Sequence, residues 1–195
     1  DVLRDEKVKV LKAVRPPDTS RVDEWSVRGQ YEGYREEPGV APDSVTPTYG
    51  ALRLYVDNWR WKGVPFYLRS GKCLPHRATE VVIQFHCPPH MMFDVPKDEP
   101  FVCNRITIRI QPDEGIRLTF QTKVPDEGMQ LQQNDLEFRY REGFQERVIP
   151  EAYERLLLDA LNGDTALFAR SDEIELAWRP VSYTHLRAHE TKAKL

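Results

Sequence analysis

Two stretches of the chain carry groups able to hold an anion. In Arg69-Ser70-Gly71-Lys72 the lysine follows a glycine, which lets the backbone bend sharply and bring the ammonium over a strand end. Arg77 follows five residues later, so three cations (Arg69, Lys72 and Arg77) fall within nine residues. Local charge alone is equally well explained by a solvated basic loop. Gln111 lies two residues beyond Arg109, on the same face of one strand and roughly 7 Å along it. A third stretch, His86-Cys87-Pro88-Pro89-His90, has metal-binding residue types. Its two prolines forbid a regular helix, and no second cluster completes four ligands, so no metal is assigned there. His185 and His189 are spaced i, i+4 but lack the glutamate of a zinc hydrolase motif. Trp59-Arg60-Trp61-Lys62 could stack on bases, but core packing with a cation–π partner explains it more simply. No Gly-x-Gly occurs, so the chain holds neither a dinucleotide fingerprint nor a phosphate-binding loop of that type.

The composition narrows the class. The 195 residues contain 28 Lys+Arg and 31 Asp+Glu, a net charge of −3, which argues against a nucleic-acid binder driven by bulk charge. Hydrophobic residues make up 40% and charged residues 30%, which fits a globular domain and not a disordered chain. No apolar run approaches the ~20 residues of a membrane span. Cys73, Cys87 and Cys103 are odd in number and widely spaced. That disfavours a secreted disulfide framework and points to a reducing cytoplasm.

The elements that would position these groups follow from hydrophobic periodicity. Leu3, Val10, Leu11 and Val14 share a helical face, and Pro16-Pro17 stops that helix. Strands are expected at 27–34, 49–56, 64–68, 80–86, 104–111, 116–122 and 136–140. In the last three the alternation is clean. Ile106, Ile108 and Ile110 oppose Thr107, Arg109 and Gln111; Ile116, Leu118 and Phe120 oppose Arg117, Thr119 and Gln121. Leu136, Phe138 and Tyr140 oppose Glu137, Arg139 and Arg141. One apolar and one polar face mark an antiparallel sheet packed on a single side. A helix is expected between Pro150 and Asn162-Gly163, with Tyr153, Leu156, Leu157, Ala160 and Leu161 on its apolar stripe. Another is expected from an N-cap at Ser171 to a stop at Pro180, burying Ile174, Ala177 and Trp178. The sum is an α+β fold, a mostly antiparallel sheet with helices packed on one face.

Six blocks in order resemble one family. They are Arg4-Asp5-Glu6-Lys7-Val8-Lys9-Val10-Leu11, Arg28-Gly29-Gln30-Tyr31, Asp57-Asn58-Trp59-Arg60-Trp61, Gly63-Val64-Pro65-Phe66-Tyr67-Leu68-Arg69-Ser70-Gly71-Lys72, Ile108-Arg109-Ile110-Gln111-Pro112-Asp113-Glu114-Gly115 and Ala152-Tyr153-Glu154-Arg155-Leu156-Leu157-Leu158-Asp159. Residues 1–180 resemble the C-terminal domain of glucose-6-phosphate dehydrogenase. The resemblance implies an oxidoreductase that oxidises glucose 6-phosphate to its lactone with NADP, opening the oxidative pentose phosphate pathway. It implies that the nucleotide, the histidine base and the carboxylate orienting it belong to a Rossmann domain upstream, so no catalytic residue is assigned here. By the same resemblance Lys72 reaches the sugar phosphate, Gln111 contacts the substrate and Arg77 is a basic position near the phosphate. Arg109 matches a contact to a second, structural NADP of some members, and Ala78 stands where those members keep a lysine. A homodimer or homotetramer through the sheet, in the cytoplasm, is implied too. The rival is a non-catalytic oligomerisation or sugar-phosphate-binding module. Residues 181–195 match nothing in the family pattern, turn basic, and are read as a foreign tail resembling a translated sequencing adapter.

Overall fold

The structure is a computed structural model that describes residues 2–90, 102–126, 128, 130–143 and 152–182. In chain order the elements are α1 (Val2–Lys12), β1 (Ser26–Gly29), β2 (Tyr49–Tyr55), β3 (Pro65–Gly71), β4 (Thr79–Gln84), β5 (Arg105–Gln111), β6 (Gly115–Lys123), β7 (Leu131–Arg139), α2 (Tyr140–Gly143), α3 (Ala152–Asn162) and α4 (Ser171–Ser182). The fold is α+β. Every strand pairing is antiparallel, but the strands form two sheets, β1-β2-β3 and β4-β5-β6-β7. The chain divides accordingly into residues 1–74 with 150–195, and residues 75–149.

In the first unit α1 packs on α4. Val8 and Leu176 are buried there, while Leu3, Val10, Ile174 and Trp178 are exposed. The buried stripe of α4 is therefore Glu173, Leu176 and Pro180, one turn-edge away from the expected one. Glu173 is buried because its carboxylate accepts the Arg170 N–H at 2.8 Å, the backward half of a capping box. Arg170 thus occupies the cap position and Ser171 already lies in the helix. Pro180 does not end α4, which runs two residues further. Its missing N–H costs one bond, within the last turn. Tyr153, Leu157 and Leu161 of α3 are exposed, and Asp159 is its buried residue, paired with Arg155 at 2.9 Å.

α1 ends before the prolines because Val14 leaves it to bridge Val56 beyond β2. The Arg15 guanidinium then donates to both oxygens of Asp57, at 2.9 and 2.6 Å. This bidentate pair holds the Asp57 carboxyl below the usual carboxylate range.

The second unit is a four-stranded meander whose register follows the alternation. Ile83, Ile106, Leu118 and Leu136 lie in one row across the sheet, and Val81, Ile108, Ile116 and Phe138 in the next. The expectation of a covered apolar face fails among the described residues. Ile116 and Phe138 are exposed, and Leu136 is 62% exposed. The polar face is the better covered, with Thr119 only 1% exposed. Thr119 donates to Asp135 at 2.7 Å. Arg105 and Arg117 each bury their Nε on this sheet, as expected of guanidinium stems lying flat over neighbours.

Candidate functional site

β4 and β5 make a hairpin whose open end is the more interesting one. There Thr79 pairs with Gln111 and Glu80 with Arg109, so Ile110 is an extra residue that bulges β5. Bulges commonly re-aim side chains beside a site. The turn Pro112-Asp113-Glu114 then leads into β6, after a cis bond at Gln111–Pro112. A cavity of about 530 Å³ opens at this end, lined among others by His76, Arg77, Glu80, Arg109, Gln111 and Asp113. Two of the three residues chosen from sequence, Arg77 and Gln111, therefore meet in one cavity although 34 positions separate them.

Arg109 enters the same cavity as a restrained guanidinium. Its Nη1 donates to Glu137 Oε1 at 3.0 Å. Glu137 also accepts from Arg139 and Arg117, each at 3.2 Å. Arg139 first, then Arg117, hold the Glu137 carboxyl below its ordinary value. Arg139 also pairs with Glu142 at 3.3 Å and Arg117 with Asp135 at 3.8 Å, so this cluster is balanced in charge and serves to restrain Arg109. The cavity lining itself carries two guanidiniums, Arg77 and Arg109, and two carboxylates, Glu80 and Asp113, so it offers both donors and acceptors to a polar ligand.

Lys72 belongs to the other unit. It follows the last residue of β3, and its N–H donates to Thr48 O at 2.8 Å. Gly71 is required here by close approach. A Cβ at this position would lie 2.7 Å from Tyr49 Cδ2 and 3.4 Å from Thr48 O. Cys73 then takes a left-handed φ of 53° and turns the chain. Arg69 pairs within β3 opposite Ala51. The three-cation cluster of the sequence is thus divided, with Arg69 and Lys72 in the first unit and Arg77 in the second.

The aromatic stretch, all within the first unit, has one packed and one exposed tryptophan. Trp61 packs edge-on against Phe66 at 5.3 Å under the Arg60 guanidinium at 5.6 Å, as a packed aromatic does. Trp59 is fully exposed. The cysteines form one pair, which is not the multi-bridge framework that the sequence argues against. Cys87 and Cys103 are joined as a disulfide, and Cys73 is free and exposed. A spacing of 16 residues could not reveal that the two face each other across extensions of neighbouring strands. Sequence reasoning also missed the positioning roles of Thr48 and Glu137. The only signal for Glu137 was its place opposite Arg117 in the alternation. No described helix is long and apolar enough to cross a membrane, and His185 and His189 lie outside the described residues.

Residues 1–193 match the family described as glucose-6-phosphate dehydrogenase, C-terminal domain. The chain belongs to this family. It is 46% identical over 187 residues to glucose-6-phosphate 1-dehydrogenase of Aggregatibacter actinomycetemcomitans, covering 91% of this chain and 37% of that protein. It is 44% identical over 191 residues to the enzyme of Dickeya dadantii, covering 92% of this chain and 39% of that one. A crystal structure of the Mycobacterium avium glucose-6-phosphate 1-dehydrogenase superposes with a TM-score of 0.76 at 44% identity, covering 95% of this chain and 38% of that chain. A glucose-6-phosphate dehydrogenase solved in complex with its substrate glucose-6-phosphate gives a TM-score of 0.80 at 38% identity, covering 92% and 37%. The chain therefore spans less than half the length of these glucose-6-phosphate dehydrogenases.

Proposed function

We propose that this chain is the substrate-holding and subunit-joining part of an NADP-dependent glucose-6-phosphate dehydrogenase, acting in the cytoplasm at the head of the oxidative pentose phosphate pathway. The observation that carries the reading is the cavity shared by Arg77 and Gln111, in a chain whose solved relative was captured with glucose 6-phosphate. Arg77 offers a planar fork of donors to the phosphate oxygens, which is the stronger geometry for a divalent anion. Gln111 offers one acceptor and two donors to a sugar hydroxyl or the phosphate. By the family resemblance Lys72 carries a further contact to the sugar phosphate. Contacts of these kinds orient C1 of the sugar toward a base and a hydride acceptor and reduce the entropy that orientation costs.

The residues present do not fit the nicotinamide nucleotide. The sequence has no Gly-x-Gly turn, and none of the described strands leads through a glycine turn into a helix N-terminus. NADP supplies the hydride acceptor when bound elsewhere in the protein, and no step on this chain runs through it. The reading assigns subunit contact, as homodimer or homotetramer, to the arginine-rich polar face of β4–β7. From composition we further propose that residues 181–195 lie outside the domain formed by residues 1–180. α4 extends two residues into that segment, and the family match runs to residue 193.

The deciding assay is NADPH formation from glucose 6-phosphate and NADP⁺. The intact protein turns over, and the purified 195-residue chain gives no rate above a no-protein control. Turnover by the short chain, or none by the intact protein, overturns the reading.

A further inference from the structure

We propose that Cys87 and Cys103 form a reversible two-electron couple that fastens the edge strand β4 to its one neighbour, opened by a low-molecular-weight thiol. β4 is an outer strand of its sheet, bonded only to β5, and all six of its residues are exposed. Nothing else described in the unit covers it, so its attachment depends on one ladder. Beyond the last pair, Gln84 with Arg105, the two segments stay together. Phe85 N donates to Asn104 O at 2.9 Å, and Gln84 Nε2 to Cys103 O at 3.0 Å. This pairing sets the Cα atoms of Cys87 and Cys103 5.0 Å apart, inside the range that a disulfide bridges without backbone movement.

The two sulfurs differ in access. Cys87 is exposed and Cys103 is buried, 8% exposed. A thiolate therefore attacks Cys87 Sγ. The S–S bond breaks, and its electron pair leaves on Cys103, which then takes a proton. A second thiol attacks the external sulfur of the mixed disulfide, releasing the Cys87 thiol. The protein gains two electrons, and two small thiols become one disulfide. Oxidation by the small disulfide runs the same steps backward.

The consequence is local first. The bond closes the connection 88–102, and closing a loop of about 15 residues strongly limits the open states of the strands it joins. Once it is cut, β4 separates from β5 more easily. Arg77 stands two residues before β4, so its place in the cavity that Gln111 also lines loosens as well. That last step rests on the proposed function.

The experiment equilibrates the intact protein with reduced or oxidised glutathione, then alkylates and digests it with trypsin. Cleavage after Arg77, Lys97 and Arg105 places Cys87 on peptide 78–97 and Cys103 on peptide 98–105, so the bond appears as a cross-linked pair. Hydrogen exchange of the amides in Thr79–Gln84 is read in both states. The expected result is a cross-link under oxidised glutathione only. Exchange in β4 is at least about 10-fold faster after reduction, with β6 and β7 unchanged. Cys87→Ser and Cys103→Ser each show the fast rates at every glutathione ratio; should either fail to fold, reduction of the parent protein carries the test alone. Two free thiols at every glutathione ratio, or equal β4 exchange in both states, overturn the proposal. Glucose 6-phosphate turnover measured alongside separates the two readings. Turnover without a thiol change refutes only the couple, and a thiol change without turnover refutes only the proposed function.

Discussion

Replacing Gly71 by alanine adds one methyl group at the point where β3 hands the chain to Lys72. The added carbon would stand 2.7 Å from Tyr49 Cδ2, 3.4 Å from Thr48 O and 3.5 Å from Leu74 Cδ1. Carbon atoms in contact prefer about 3.5–4.0 Å, so the ring or the strand must move by about an ångström. Tyr49 is the cross-strand partner of Gly71 and is half-buried, which limits where its ring can turn. Overpacking of this kind costs about 1–3 kcal/mol. The displaced backbone also disturbs the bond from Lys72 N to Thr48 O, now 2.8 Å, and with it the aim of the Lys72 ammonium. Urea unfolding of the intact protein should show the loss, and steady-state kinetics should show a raised KM for glucose 6-phosphate. Tyr49→Ala removes the obstructing ring, so in that background Gly71→Ala should cost about 1 kcal/mol less or better. If the two backgrounds lose equal stability, the ring contact is not why glycine stands at 71.

Lys72→Ala in the intact protein should lower kcat/KM for glucose 6-phosphate by about 10- to 150-fold, the loss of one charge-assisted contact. Lys62→Ala, on the β2–β3 connection, should do far less, and equal effects would return Lys72 to a solvated loop. Gln111→Leu should impair the substrate step with little change in the urea midpoint; a large stability loss with unchanged kinetics would mean that its role is structural. Arg170, by hydrogen bonds first, holds Asp5 and Asp172 below the ordinary carboxylate range. A depressed folded pKa stabilises above the unfolded value and is lost as pH falls through the folded one, so the first unit should weaken below about pH 4. Arg170→Met should flatten that acid limb in a pH series of urea melts, and an unchanged limb would rule the pair out as its source. Deleting residues 183–195 should leave the urea midpoint unchanged, and a lower midpoint would make the segment part of the domain.

Strict alternation made β5 and β6 readable, because Ile106-Thr107-Ile108-Arg109 leaves one pairing that keeps all isoleucines on one face. β7 begins five residues earlier than expected. Its polar start Gln132-Gln133-Asn134-Asp135 carries no period-two signal, and only pairing with β6 makes it a strand. α1, α3 and α4 were found with their bounds nearly right but with the wrong faces buried, since periodicity marks an apolar stripe and not what lies against it; the short α2 was missed, because its Tyr140 reads as a strand end. The unexpected burial of Glu173 comes from a backbone N–H, a partner that no side-chain pattern records. For the site, Arg77 and Gln111 owe their meeting to the register of β4 and β5. Residue types suggested each singly, and the family resemblance chose them. The Cys87–Cys103 bond depends on the same register and had no local signature at all.

The β4–β5 hairpin has a polarity that bears on how such sequences can diverge. Its cavity lies at the end where Thr79 meets Gln111, and its connecting segment, residues 88–102, leaves from the opposite end beyond Gln84 and Arg105. Five strand positions, roughly 17 Å, lie between the two. Lengthening a surface connection costs little closure entropy. With the Cys87–Cys103 bond closing that connection, insertions and deletions in 88–102 can accumulate without disturbing the β4–β5 pairing that leads to Arg77 and Gln111. The short Pro112–Glu114 turn has no such freedom, because Pro112 and Asp113 line the cavity itself. Among homologous chains, length variation should concentrate in the first connection and be absent from the second.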